Sequence, residues 1–198
     1  MGLATSIHLE VPSRRHERAF LRAVKASGPL HRGLVSPPKT PERFRAYLAR
    51  LRGPSHLGHF VCLAGGDLVG VININEIVRG GFRSGYLGYY AFVPHAGQGY
   101  ITRGLELVMA RAFGAYKLHR LEANIQPGNL PSVALVQRLG FRLEGYSKRY
   151  LRISGRWRDH ERWALTIEDW RARKSKRSKA SGARRRGGRS GGAKLRRW

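Results

Sequence analysis

The sequence is poor in acid, in sulfur and in long apolar runs. Twelve Asp and Glu stand against 38 Lys and Arg, a formal net charge of +26. Such an excess argues against a polycationic acceptor and favours anionic partners such as nucleic acid. A single cysteine, Cys62, rules out an internal disulfide and gives no sign of an oxidising compartment. Flanked by Val61 and Leu63, it reads as a small buried hydrophobe, not as a nucleophile. No stretch approaches the ~18 consecutive apolar residues of a transmembrane helix. Residues 1–11 have neither the basic start nor the apolar centre of a signal peptide. These absences predict a soluble, cytoplasmic protein with no membrane partner.

What is present suffices for one domain. The chain has 198 residues, 41% of them hydrophobic. Thirteen Lys and Arg, and no acid, lie between Arg171 and Trp198, so this segment carries half of the net charge. It is rich in Ser, Gly and Ala and shows no periodicity, which predicts a disordered basic tail at 171–198 behind a folded domain at 1–170. Within that domain a strand is expected at 7–11. Ser13 then caps a helix that Gly28-Pro29 stops, and Thr40 caps a second, with Pro41 in its first turn, running to Arg52. Strands at 59–64 and 68–77 flank a Gly65-Gly66-Asp67 turn, and a long aromatic strand occupies 82–93. The apolar stripe Ile101, Leu105, Val108, Met109, Ala112 and Phe113 marks a helix at 101–115. A short strand at 120–125, a helix at 130–139 ended by Gly140, and strands at 141–153 and 161–167 follow. The order β-α-α-β-β-β-α-β-α-β-β is an α/β layout with a mixed sheet flanked by helices.

The chemistry lies where the long strand runs through Gly97-Gln98-Gly99 straight into the strongest helix. Glycines let a backbone turn sharply and approach a ligand closely. The unsatisfied N–H groups of a helix's first turn, at the positive end of its dipole, bind phosphate. A dinucleotide fingerprint would need a third glycine at 102, where Thr102 stands, and no Gly-Lys-Ser/Thr of a nucleotide-triphosphate loop follows.

These residues, taken with others, resemble a known family. Gly70-Val71, Val78-Arg79-Gly80, Tyr86-Leu87-Gly88-Tyr89, Gly97-Gln98-Gly99, Asn129-x-x-Ser132, the 139–145 run Leu-Gly-Phe-Arg-Leu-Glu-Gly and the 155–160 run Gly-Arg-Trp-Arg-Asp-His are similar to the GNAT acetyltransferases. The likeness is to the RimJ/RimL group of ribosomal-protein N-terminal acetyltransferases, most of all its RimJ branch, and covers about residues 68–170. It implies the GNAT fold and transfer of an acetyl group from acetyl-CoA to the α-amine of a protein, a ribosomal one. An acetyltransferase for a small amine (antibiotic, amino acid or polyamine) and a non-catalytic RNA-binding relative are the alternatives. One departure is Pro94, where the family's motif starts with Gln or Arg.

The resemblance also implies roles. Acetyl-CoA is expected along Phe92, Val93, His95, Ala96, Gly97, Gln98, Gly99, Tyr100 and Ile101, with its pyrophosphate on the backbone at 97–101. Asn129 would bond the pantetheine arm or simply cap a helix. Ser132 would stabilise or protonate the departing thiolate, or cap. The tyrosine acid of many relatives falls on Val136, and the glutamate base of the RimL pattern falls on Leu151, so neither transfers. Glu76 is the expected base, with the Asp159-His160 pair as the other candidate. Tyr89, Tyr90 and Phe92 read as core or pocket wall. Histidines 8, 16, 31, 56, 59, 95 and 119 lack metal-ligand spacing, so no metal is expected. Arg184–Arg186 and Lys194 to Arg197 resemble an electrostatic arm suited to rRNA or the ribosome.

Overall fold

A computed structural model describes residues 6–176. Seven strands form one sheet: β1 (Ile7–Glu10), β2 (Leu57–Leu63), β3 (Leu68–Val78), β4 (Ser84–Ala91), β5 (Arg120–Ile125), β6 (Arg142–Ile153) and β7 (Arg156–Thr166). Their order is β1-β2-β3-β4-β5-β7-β6. All neighbours are antiparallel except β4 and β5. The helices are α1 (Glu17–Ala26), α2 (Gly28–His31), α3 (Pro41–Arg50), α4 (Tyr100–Phe113), α5 (Leu130–Leu139) and α6 at 167–176. Thr40 accepts a hydrogen bond from Arg43 N and caps α3, as its sequence predicts.

Strand alternation sorts the core into two. Val61, Ile72 and Ile74 face α4 and α5, joining Leu105, Val108, Met109 and Leu139. Phe60, Cys62 and Val71 face the other way and meet Phe20 and Phe44 of α1 and α3, with Phe92. Phe20 packs against the rings of Phe44, Phe60 and Phe92 at 4.7–5.9 Å. Cys62 is buried, and burial pushes its thiol up to about 11, which leaves it protonated and unreactive.

The first helix ends before Gly28-Pro29 as its sequence predicts, with Ser27 as C-cap, and those two residues then start the single turn α2, which buries His31. Two expectations are corrected. The last strand begins at Arg156, not 161, because β6 and β7 form a long ribbon paired as far as Ile153 with Arg156. Nor does order stop at Trp170. The helix α6 runs to 176, Trp170 packs on Phe113, and Arg173 donates to the carbonyls of Arg138 and Leu139 at the end of α5. The remainder of the expected basic tail, from 177, lies outside the described residues.

The feature that positions the site is a split in the sheet. β4 and β5 pair only from Ser84 with Arg120 to Tyr86 with Glu122. Beyond that the strands part, so residues 87–91 and 123–125 have no partner across the seam.

Candidate active site

One side of the split is built from backbone. Gly97 and Gly99 have φ of 79° and 80°, a region costly for any residue with a Cβ, and Gly99 is the N-cap of α4. No side chain caps this helix, so its first-turn N–H groups point outward. A Cβ built on either glycine meets no atom within 4 Å. Open space beside unsatisfied donors at the positive end of a helix fits a pyrophosphate. A cavity of about 320 Å³ starts at this loop, lined by His95, Ala96, Gly97, Gly99, Tyr100 and Ile101, and reaches Tyr89, Asn129 and Ser132. The structure thus gathers eight of the expected cofactor residues on one slot. Three are elsewhere. Phe92 is fully buried in the aromatic core, Val93 gives its N–H to Ser27 Oγ at 3.0 Å, and Gln98 folds back to donate to Pro94 O at 2.9 Å.

At the inner end of the slot, Tyr89 Oη and Ser132 Oγ are 2.6 Å apart. Burial pushes the Tyr89 phenol up to about 12, so it holds its proton at neutral pH. Asn129 accepts from Ser132 N at 3.3 Å, which makes it the N-cap of α5 and fixes the turn that presents the hydroxyl. Sequence alone reads Tyr89 as a wall; only the fold brings it to Ser132, 43 residues away.

A second cavity, of about 460 Å³, shares Tyr89, Asn129 and Ser132 with the first. It is lined by residues from five strands, among them Asn75, Tyr86, Asn124, Tyr150 and His160. The side-chain oxygens of Asn75 and Asn124 are buried without a partner, so the lining holds unused acceptor capacity. Glu76 stands at the same cavity in a left-handed conformation (φ 48°), its side chain 70% exposed and its carboxylate 3.2 Å from His56 Nε2. The Asp159-His160 pair splits, because neighbours on a strand point to opposite faces. Asp159 is half-buried and accepts from Tyr146 Oη and Arg149 N at 2.6 and 2.8 Å, a structural tie. His160 is buried, with 3% exposure, and faces the cavity. An adjoining cavity of about 470 Å³ carries Arg43 and Arg50 of α3 beside Asn75 and Tyr89. Among the described residues, His8, Glu10 and Cys62 alone bring three possible metal-ligand atoms within 4.8 Å. They sit on β1 and β2, away from these cavities, and Glu10 is already held by His8, Arg15 and His16.

Known proteins share this arrangement. The family model for an acetyltransferase (GNAT) domain matches residues 9–142. The [ribosomal protein uS5]-alanine N-acetyltransferase of Escherichia coli (strain K12) is 41% identical over 104 residues, which is 52% of this chain and about half, 54%, of that enzyme. Among solved structures, RimJ of Mycobacterium smegmatis in complex with CoA-disulfide superposes with a TM-score of 0.76 at 30% identity, covering 82% of each chain. Spermidine N-acetyltransferase of Vibrio cholerae, in complex with CoA and spermine, has a TM-score of 0.72. Its 18% identity over 83% of this chain and 97% of that one shows a common fold.

Proposed function

Because the chain belongs to the GNAT acetyltransferase family, we propose that it transfers the acetyl group of acetyl-CoA to the N-terminal α-amine of a protein, specifically a ribosomal one. The observation that carries this reading is the meeting of two cavities at the Tyr89–Ser132 pair, which lines both. A thioester reaching that point along the backbone-lined slot would be open to attack from the second cavity.

The residues divide the work. The N–H groups at 97–101 hold the pyrophosphate, and the edge of β4 at 87–90, unpaired across the seam, offers hydrogen bonds to the amide-bearing arm of acetyl-CoA. Ser132, backed by the Tyr89 phenol, gives a proton to the sulfur as the C–S bond breaks. Pro94 does not disturb this assignment, since the anion contacts come from backbone N–H groups. Glu76 is assigned to the rim, where an exposed carboxylate draws in a cationic amine; buried His160 displaces it as the candidate base.

Charge selects among acceptors. The second cavity has one carboxylate, Glu76, and its neighbour adds Arg43 and Arg50. A polyamine needs several anionic partners, whereas a peptide brings one ammonium and a polar backbone. In this reading the domain works in the cytoplasm without a metal, and the basic stretch 171–198 contacts rRNA beside the acceptor protein. No helix among the described residues is long and apolar enough to cross a membrane. The test compares protein N-termini by mass spectrometry in cells with and without the gene. A ribosomal protein should lose its N-terminal acetyl group in the knockout; unchanged N-termini would overturn the assignment.

A further inference from the structure

We propose that His160 takes the proton from the incoming α-ammonium, an inference that rests on the acetyl-transfer reading above. Three observations place it there. His160 lies on β7, faces the acceptor-side cavity, and is almost fully buried. Its Nδ1 lies 3.0 Å from Arg158 O. A carbonyl can only accept, so Nδ1 carries the hydrogen and Nε2 keeps a free lone pair. Finally, the other proton-handling pair, Tyr89 and Ser132, sits where the cofactor slot ends. Base and acid are thus separate groups, His160 lining the acceptor-side cavity alone and Tyr89 with Ser132 lining both, as addition of an amine and departure of a thiolate require.

The surroundings keep the imidazole neutral. Burial lowers its pKa, and this outweighs the hydrogen bond to Arg158 O and the charge of Asp159, both of which raise it. Tyr150 of β6 lies edge-on at 6.3 Å; Tyr86 of β4 and Glu76 of β3 share the cavity. From β5 the cavity receives the uncharged Asn124, and from the turn after it Gln126.

The step balances. Nε2 accepts one proton from R–NH3+, and the freed nitrogen pair forms the bond to the thioester carbon. The C–S bond breaks with its electron pair moving to sulfur, which is protonated by Ser132 and Tyr89. The proton shed by the nitrogen as the amide forms replaces the one given to sulfur. Turnover therefore releases one proton, which His160 passes to water.

The test is the pH dependence of kcat/KM in the full chain, wild type against His160→Asn, with an N-terminal alanine peptide. Asparagine keeps the donor to Arg158 O and removes Nε2. Without a base the reaction depends on the neutral fraction of an amine whose pKa is about 7.7–8.0. The variant should be slower by about 100-fold at pH 6.5, and the deficit should shrink about tenfold or more by pH 9. Its affinity for CoA should be unchanged, which also reports folding. A deficit that stays constant with pH, or none, overturns the role of His160 while leaving acetyl transfer intact. A wild type that acetylates no α-amine overturns the reading beneath it. Should the variant not fold, nitrogen-detected NMR of the wild-type imidazole decides: the Nδ1–H form supports the proposal, and the Nε2–H form refutes it.

Discussion

The two halves of the candidate site are made differently. The proposed cofactor half is built around one continuous stretch of chain, a strand, two glycines with φ near 80° and a helix start, completed by the start of α5, and what its loop offers is main-chain N–H groups. The acceptor half is a mosaic of residues from β3, β4, β5, β6 and β7, and it shares with the cofactor half the Tyr89–Ser132 hydrogen bond of 2.6 Å. Main-chain recognition tolerates changes of side chain but not of backbone conformation. Mosaic recognition can be retuned one side chain at a time.

Substitutions should therefore separate the halves. The largest effect is expected from Gly99→Glu, which forces φ 80° on an L-residue and puts a carboxylate where phosphate belongs. Calorimetric titration should show CoA affinity reduced about 100-fold or more, with a melting curve confirming the fold; unchanged affinity would move the phosphate site elsewhere. Next comes the junction. Ser132→Ala should lower kcat about ten- to a hundredfold, roughly 1.5–3 kcal/mol, with little change in the KM for acetyl-CoA. Tyr89→Phe should fall in the same range and add little to Ser132→Ala in the double variant, since the two act as one unit. Fully additive losses would break that pairing.

A smaller effect isolates the acceptor half. A Cβ at Gly88 would lie 3.1 Å from Asn75 Nδ2, so Gly88→Ala should crowd the acceptor-side lining. The KM for peptide should rise by roughly a few-fold, about 1 kcal/mol, while CoA affinity holds; equal changes in both would show that the cavities are not separate. The smallest effect is expected from truncation after Lys176. Acetylation of a short peptide should stay within about twofold, while RNA binding weakens and its salt dependence flattens. Cutting at 170 instead should destabilise the domain, because α6 packs Trp170 on Phe113 and ties Arg173 to the end of α5.

The same division decides what the sequence discloses. The glycine loop and α4 were legible because turn chemistry and a 3.6-residue stripe are local signals. Ser132 was legible through its place in a helix start and a family resemblance. Tyr89 was not, for an aromatic on a strand looks like core until the fold sets it against α5. Phe92, read both as a cofactor residue and as core or pocket wall, is committed to the core, in the aromatic cluster around Phe20. The start of β7 was hidden because an exposed ribbon, with Trp157 at 60% exposure and charged neighbours, need not alternate apolar and polar residues. The helix α6 was hidden because its anchors, Ile167, Trp170 and Arg173, are too few to make a long apolar stripe.

The central claim is that an α-amine, not a polyamine, meets acetyl-CoA at Tyr89 and Ser132. Its most direct test gives the purified chain acetyl-CoA, an N-terminal alanine peptide containing an internal lysine, and spermidine in one reaction, with mass spectrometry of all products. The acetyl group should appear on the peptide's α-amine, leaving the lysine and spermidine unmodified. Acetylated spermidine beside an untouched peptide would contradict the account.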